Sequence, residues 1–307
     1  MSIVAITTFY RFLPLPAERV EALKRALEAE AEAHQVRGLC LLGREGINAT
    51  FSGSSEGILA LKALVKREVA DNMVFKDAFA GKHPFLVFKV KIKDEIVSLG
   101  KPALVPEKPV NHHLSPAEWH AAMQDPNTVI LDTRNDYEVD LGKFRGAVDF
   151  RLQEFNEFPE RVRGAGIPKD KRVLMYCTGG IRCEKAILEM HDQGYTNVGQ
   201  LEGGILNYLK EFPNQGYEGD CFVFDYRVAV DQELKPAAKY WLCPHCGQPA
   251  TAPLTCSQCG REEHVCARCT SQGIATCSKN CAHHASIGSK SSKTHLPELR
   301  KRLRKLP

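Results

Sequence analysis

A cysteine stands where a short apolar run ends and two glycines begin, in the stretch MYCTGGIRCEKA (175–186). Cys177 follows RVLMY directly, so we expect it at the carboxyl end of a buried strand, where open α/β sheets place their ligand crevices. The glycines let successive backbone N–H groups point at the sulfur, and a helix predicted from about Arg182 adds partial positive charge. Such surroundings lower the pKa of a thiol, and the thiolate is the nucleophile. The predicted catalytic residues are therefore Cys177 and Arg182, and the predicted active-site loop adds Thr178, Gly179, Gly180, Ile181 and Cys183.

Cys183 has two interpretations. It is either a resolving thiol for an oxidised Cys177 or a small buried residue on the first helical turn, and we favour the second. The spacing Cys-x4-Arg is one residue shorter than the Cys-x5-Arg loop of phosphatases. The shorter loop suits a smaller group than phosphate, such as a single sulfur atom.

Eight of the twelve cysteines form four close pairs in CPHC, CSQC, CARC and CSKNC. Two such pairs can hold one tetrahedral zinc ion, so eight thiolates predict two structural zinc ions. Sequential and interleaved pairing both fit the spacing, and His245, His264, His283 or His284 can replace a cysteine. The predicted metal ligands are Cys243, Cys246, Cys256, Cys259, Cys266, Cys269, Cys277 and Cys281.

The first hundred residues alternate strand-like and helix-like stretches. IVAITTFY, VRGLCLLG, INATFSG and FLVFKVKI are predicted strands, and PAERVEALKRALEAEAEAH and SSEGILALKALVKREV are predicted helices. The resulting β-α-β-β-α-β order is that of a ferredoxin-like α+β sandwich. The stretch PALVPEKPVNHH, rich in proline, then indicates a linker.

A second α/β unit begins at Ser115-Pro116-Ala117-Glu118, which has the spacing of a helix capping box. The predicted strands TVILD, RVLMY and NVGQL alternate with helices, which indicates a parallel sheet covered on both faces. The fold class is thus a multidomain α/β protein, ending in a Cys-rich zinc-binding segment and a basic tail. The predicted ranges are 1–100 for the sandwich, 101–113 for the linker, 114–225 for the catalytic domain, 226–284 for the Cys-rich segment and 285–307 for the tail.

The distribution of charge along the chain indicates what kind of partner it could bind. The net charge of +4 comes from the tail, where seven Lys or Arg face one Glu, so residues 1–284 carry −2. Cations gain affinity for nucleic acid by releasing counterions, although a solvated charged tail fits the sequence as well. The predicted nucleic-acid contacts are Arg300, Lys301, Arg302, Arg304 and Lys305.

No window approaches the roughly 20 apolar residues of a membrane span, so we expect no membrane partner and a cytoplasmic location. Clustered cysteines also suit a reducing compartment. Phe9, Tyr10 and Arg11, at the end of the first strand, are candidates for stacking on an unpaired base.

The central region resembles a rhodanese-type sulfurtransferase domain, both in the Cys177 loop and in LDTRNDYEVDLGKFRGAVDF (131–150). The residues that carry this second resemblance are Asp132, Arg134, Glu138, Gly142, Phe144, Gly146 and Ala147. More narrowly, five segments in this order resemble the bacterial tRNA uridine(34) hydroxylase family. They are GREGINATFSG, MYCTGGIRCEKA, QLEGGILNYL, GDCFVFDYRVAV and the Cys-rich tail.

The second resemblance implies an oxidoreductase of the EC 1.14 class that forms 5-hydroxyuridine at the wobble position of tRNA. It also implies molecular oxygen as co-substrate, the anticodon region of tRNA as partner, and Cys177 as the essential cysteine. From the residues alone, no Gly-x-Gly-x-x-Gly motif for NAD or flavin follows the first strand, and no two-His-one-carboxylate iron site is recognisable.

Two other functions stay open. The first is a sulfurtransferase that passes persulfide sulfur to a small acceptor or a protein, because inward N–H groups would also stabilise a terminal persulfide. The second is a non-catalytic RNA-binding adaptor, which requires that Cys177 be dispensable. The oligomeric state, and whether GREGINATFSG lines the crevice or only turns between strands, stay open too.

Overall fold

The computed structural model describes residues 3–106 and 112–288. They form two compact units. Among these residues, the first unit comprises 3–106, 112–222 and 230–235, and the second comprises 223–229 and 236–288. The predicted domain boundaries stay a prediction. Throughout the described ranges, every helix is too short or too polar to traverse a lipid bilayer.

The first unit begins with the predicted α+β sandwich, which is confirmed. Helices α1 and α2 pack on a five-stranded sheet in the order β4-β1-β3-β2-β5, around a core that contains Phe9, Leu27 and Phe51. All neighbours are antiparallel except β2 and β5. The elements are β1 Val4–Phe12, α1 Ala17–Ala33, β2 Arg37–Gly43, β3 Gly46–Gly53, α2 Ser55–Glu68, β4 Lys76–Ala80 and β5 Phe88–Ile92.

One strand of this sheet differs from the prediction. The fourth strand of the sandwich is KDAFA (β4), which pairs with β1, whereas the predicted last strand, FLVFKVKI, supplies the additional edge strand β5. The reason is that β4 buries no side chain fully. Its five residues alternate between half-buried and exposed, so it lacks the apolar run that marks the other strands.

The rest of the first unit is built on a parallel sheet in the order β6-β11-β10-β7-β9, which confirms the predicted central α/β fold. The predicted capping box forms at Ser115 and Glu118, where α3 begins. The elements are β6 His113–Leu114, α3 Pro116–Ala122, β7 Thr128–Asp132, α4 Asp136–Val139, β8 Gly142–Phe144, β9 Val148–Asp149, α5 Phe158–Gly164, β10 Arg172–Tyr176, α6 Ile181–Asp192, β11 Val198–Leu201, α7 Gly204–Glu211, β12 Tyr217–Gly219 and β13 Cys221–Phe222.

The second unit is made of short hairpins and helices. Strands β15 and β16 form one antiparallel hairpin and β17 and β18 another, and each hairpin turn carries a Cys-x2-Cys pair. The remaining cysteine pairs lie at the starts of α8 and α9. The elements here are β14 Ala229–Val230, which straddles the division, β15 Trp241–Leu242, β16 Pro249–Ala250, β17 Pro253–Thr255, β18 Glu262–His264, α8 Ala267–Ser271 and α9 Lys279–Ser286.

Candidate active site and metal centres

Cys177 follows β10 at the carboxyl edge of the parallel sheet, with β7 and β11 on either side. The loop then turns through Gly180, whose φ of +100° is a left-handed conformation that favours glycine, and α6 begins at Ile181. The backbone N–H of Gly180 donates a hydrogen bond to Cys177 Sγ at 3.0 Å. A main-chain donor therefore faces the sulfur, as the loop sequence predicts.

The surroundings of the sulfur favour the thiolate. Burial by itself raises the pKa of Cys177, but the Cys183 thiol, the charge of Arg182 and backbone N–H donors outweigh it and lower the pKa to about 5. Cys183 lies fully buried in the same core, where burial and the neighbouring Cys177 raise its pKa well above the ordinary value. These surroundings favour the thiolate of Cys177 and the neutral thiol of Cys183, which can donate to it.

Arg182 projects from the first turn of α6 to Glu138 on α4. Its Nη1 and Nη2 atoms each donate to a carboxylate oxygen at 2.7 Å, and both side chains are buried. Thr178 is turned inward as well, and its hydroxyl donates to the carbonyl of Phe222 at 3.3 Å. Arg182 thus contributes its charge to the loop while its fork holds α6 against α4.

The segment QLEGGILNYL supports the loop from the other side. The N–H groups of Ile205 and Leu206, at the start of α7, donate to the carbonyls of Cys177 and Thr178 at 3.0 and 3.2 Å. A Cβ on Gly204 would stand 2.5 Å from the Cys177 carbonyl oxygen, so only glycine fits there. This glycine is a structural requirement of the loop.

Cys177 is 1% exposed, so its sulfur does not face an open crevice. Residues of the sandwich lie over the loop: the Tyr10 hydroxyl is 3.1 Å from the place that a Gly180 Cβ would take, and Lys76 Nζ donates to the Gly179 carbonyl. A cleft of about 620 Å³, lined by Glu28, His83 and others, lies elsewhere on the sandwich. The sandwich therefore covers the Cys177 loop in this structure.

Tyr10 and Phe9 have different roles from those the sequence suggested. Phe9 is 1% exposed and packs edge-on against Phe51 and Phe75, so the proposed base stacking by Phe9 is wrong. Tyr10 is half-buried, and its hydroxyl donates to Glu184 on α6 at 2.9 Å. Strand alternation sends Phe9 into the core and Tyr10 toward the loop.

Lys76 was not among the predicted site residues. It lies on β4, the strand that the sequence pattern did not reveal, and it reaches the loop across 103 positions of the chain. Burial of its ammonium group lowers the pKa of Lys76 to about 8, although the nearby Cys177 raises it. No spacing in the sequence connects it with Cys177.

The GREGINATFSG segment does more than turn between strands. Its Glu45 forms an ion pair with Lys185 of α6 at 2.7 Å, and Glu95 contacts the same ammonium at 2.6 Å. Lys185 is fully buried. A buried cation shared by two carboxylates therefore fastens the sandwich to the helix that follows Cys177.

The eight predicted cysteine ligands form two groups in the second unit. Each group joins one hairpin pair to one helical pair, and within a group the sulfur atoms all lie within 4.8 Å of one another. The pairing is interleaved, first with third and second with fourth. The groups are Cys243, Cys246, Cys266 and Cys269, and Cys256, Cys259, Cys277 and Cys281.

Both groups suit a metal ion. Four thiolates at this separation match the closed tetrahedral coordination of structural zinc. The candidate histidines belong to neither group: His245 Nε2 lies 2.6 Å from the Thr276 carbonyl, and His264 stacks on Trp241. Each group can therefore bind a metal such as zinc with cysteine alone.

The predicted nucleic-acid residues, Arg300, Lys301, Arg302, Arg304 and Lys305, lie outside the described residues.

Comparisons with known proteins cover nearly the whole chain. Three family models match. The model described as UPF0176 acylphosphatase like domain matches residues 4–96, the one described as Rhodanese-like domain matches 115–211, and the one described as Rhodanase C-terminal matches 218–282. An acylphosphatase-like domain is an α+β sandwich of the kind seen in the first unit.

Curated relatives carry one name. A tRNA uridine(34) hydroxylase of Bdellovibrio bacteriovorus is 50% identical over 91% of this chain and 80% of its own length. Those of Sinorhizobium medicae and Rhizobium leguminosarum are 42% and 41% identical, each over 86% of this chain and over 84% and 86% of their own lengths. With such identity over most of both sequences, the chain belongs to the tRNA uridine(34) hydroxylase family.

Proposed function

We propose that this protein hydroxylates uridine 34 of tRNA to 5-hydroxyuridine, with molecular oxygen as co-substrate and Cys177 as the essential residue. The observation that carries the proposal is the 3.0 Å hydrogen bond from the Gly180 N–H to the Cys177 sulfur, in surroundings that lower the pKa of that thiol. The names of relatives that are 41–50% identical support the substrate. The reaction makes the protein an oxidoreductase of the EC 1.14 class, acting in the cytoplasm.

A thiolate can activate the uracil ring by adding to C6. The new S–C6 bond moves the C5=C6 electron pair toward C5 and the C4 carbonyl, which makes C5 the nucleophile toward oxygen. Loss of the C5 proton and cleavage of the S–C6 bond then restore the double bond and the thiolate. One atom of the oxygen molecule forms the C5–O bond. The other is reduced to water by two electrons and two protons from an external thiol reductant, which is oxidised to a disulfide.

Binding of the anticodon region is assigned to two parts of the chain. The base of nucleotide 34 enters at the Cys177 loop, once Tyr10 has moved. The tail residues Arg300, Lys301, Arg302, Arg304 and Lys305 bind phosphates, because Arg and Lys gain affinity by displacing counterions. The affinity for tRNA should accordingly fall steeply as the salt concentration rises, and less steeply when the tail is removed.

The second unit is assigned two structural zinc ions. In each group four cysteines fill the coordination sphere, so no position is left for substrate. Zinc would stabilise a segment that has few apolar residues of its own.

A persulfide-carrying sulfurtransferase is the second candidate. The same N–H donors would stabilise a terminal sulfur atom on Cys177, and the Rhodanese-like match over 115–211 is in keeping with it. Rapid transfer of sulfur from thiosulfate to cyanide without tRNA would favour this activity.

The direct test is nucleoside mass spectrometry of tRNA from cells that lack the native enzyme. The unsubstituted protein should restore 5-hydroxyuridine in air and not without oxygen. Cys177→Ser should restore none, whereas Cys40→Ala, which changes a buried cysteine in the core of the sandwich, should restore it fully. Restoration by Cys177→Ser would contradict the proposal.

A further inference from the structure

The peptide unit between Gly179 and Gly180 makes a hydrogen bond at each end. Its carbonyl oxygen accepts from Lys76 Nζ, and its N–H donates to Cys177 Sγ at 3.0 Å. In a trans peptide the C=O and N–H bonds point in opposite directions across one rigid plane. A contact that fixes the direction of the carbonyl therefore also fixes the direction of the N–H toward the sulfur.

The orientation of this peptide must be fixed by a contact from outside the loop. It lies between two glycines, the residues with the widest choice of backbone conformation, and Gly180 has a φ of +100°. Rotation of the plane would turn the N–H away and present the carbonyl dipole to the thiolate. An ammonium donor on the carbonyl opposes that rotation, and it also polarises the peptide so that its N–H becomes a stronger donor.

Lys76 is held in place by the sandwich. It lies on β4 opposite Thr8 of β1, and its ammonium stands 5.3 Å from the ring centre of Tyr10. The Tyr10 hydroxyl in turn donates to Glu184 on α6. The lysine therefore lies between its own sheet and the helix that follows the Cys177 loop.

Lys76 donates to the backbone of the loop, whereas the neighbouring cation Arg182 donates to a carboxylate. Both terminal nitrogens of Arg182 are bound to Glu138. Among the described residues, no carboxylate oxygen lies within 4.0 Å of Lys76 Nζ. The charged groups that act on Lys76 from the neighbouring elements are Cys177, Glu184, Glu202 and Lys210.

We propose that Lys76 is a positioning residue that acts through the Gly179–Gly180 peptide to keep the Gly180 N–H on the Cys177 sulfur. The sandwich thereby contributes to the reactivity of the thiol and does not only cover it. The inference rests on the proposed function only in taking Cys177 as the working residue.

The test is the acid–base titration of Cys177 in three variants. Ultraviolet thiolate absorbance is recorded against pH for each protein and for the same protein carrying Cys177→Ala, and the difference isolates Cys177 among twelve cysteines. Lys76→Met removes the donor with a side chain of similar length, Lys76→Arg keeps a charged donor, and Lys91→Met changes an exposed lysine of β5 as the control.

Lys76→Met loses the charge-assisted hydrogen bond to the Gly179 carbonyl. The midpoint of the Cys177 titration should therefore rise by about one to two pH units. Lys76→Arg and Lys91→Met should leave it close to that of the unsubstituted protein. An unshifted midpoint in Lys76→Met would overturn the inference, and so would an equal shift in Lys76→Arg, which would mean that only the shape of the side chain matters. If Lys76→Met does not fold by circular dichroism, Lys76→Leu, which also lacks a donor, takes its place with the same expected direction.

The titration uses no tRNA, so it separates this inference from the proposed function. A raised midpoint in Lys76→Met supports the role of Lys76 whether or not 5-hydroxyuridine is formed. Loss of 5-hydroxyuridine in Lys76→Met with an unshifted midpoint counts against the role of Lys76 and leaves the proposed function standing.

Discussion

Arg182 and Glu138 form a two-armed ion pair in which both nitrogen–oxygen distances are 2.7 Å and both side chains are buried. The pair joins the first turn of α6, just after the Cys177 loop, to α4, 44 residues earlier. Buried pairs of this kind add little net stability over an apolar pair, but they fix geometry, because removing one partner leaves a buried charge. The start of α6 is thereby held relative to the sheet.

Glu138→Ala should lower the free energy of unfolding by about 3–5 kcal/mol, because it strips the carboxylate from a buried guanidinium. Chemical denaturation followed by circular dichroism measures the change. Glu218→Ala is the matched control, since Glu218 pairs with Arg145 on the surface and both side chains are more than half exposed. Exposed pairs are worth about 1 kcal/mol or less, so equal losses in the two variants would contradict the assigned role.

Cys183→Ala should raise the pKa of Cys177, because the Cys183 thiol is one of the groups that lower it. Cys183→Ser keeps a donor and should shift the pKa less. Trypsin releases the peptide 173–182, in which Cys177 is the only cysteine, so its alkylation rate against pH can be followed by mass spectrometry. Loss of 5-hydroxyuridine in both variants with an unshifted alkylation profile would contradict this role and identify Cys183 as a resolving thiol.

Local sequence signals located the main parts of the molecule. RVLMY followed by Cys-Thr-Gly-Gly predicts a thiol at a strand end above a helix start, and the structure has β10, the loop and α6 in those places. The capping box at Ser115 is predicted from local spacing, and the parallel sheet from the alternation of strands and helices. Such features depend on residues a few positions apart, which is what sequence patterns record.

Contacts between distant segments gave no such signal. Lys76 lies on an edge strand with no fully buried residue, and its partner Gly179 is 103 residues away. The interleaved pairing of the cysteines depends on how two hairpins and two helices pack, because the spacing within each pair does not say which other pair shares its metal site. The covering of Cys177 by Tyr10 likewise comes from the packing of the sandwich on the sheet domain.

Lys185→Met should destabilise the protein more at neutral pH than in acid. Burial already raises the pKa of Glu45, and Lys185 opposes that rise, so its removal leaves Glu45 and Glu95 facing each other without their shared cation. A carboxyl group with a raised pKa in the folded state adds stability at low pH and loses it as pH rises through that pKa. Thermal unfolding across pH tests this, with Lys235→Met, in an exposed pair, as the control. A loss that is the same at every pH would contradict it.

The protein should contain two zinc ions per chain, and a chelator should unfold only the second unit. Proteolysis after chelation should cut within 236–288 and spare the first unit, because metal binding there is coupled to folding. Cys256→Ser should lose one ion, whereas Cys40→Ala, a buried cysteine of the sandwich, should keep both. Elemental analysis that finds no zinc, or loss of the whole fold on chelation, would contradict this assignment.

The most direct measurement is the titration of Cys177 itself, taken as the difference in thiolate absorbance between the protein and Cys177→Ala. The pKa is lowered in the folded state, so the thiolate should persist through neutral pH and be lost only as pH falls through about 5. A midpoint near the ordinary 9 would mean that the loop does not hold the sulfur as an anion. Cys177 would then lack the reactive thiolate that the proposed function requires.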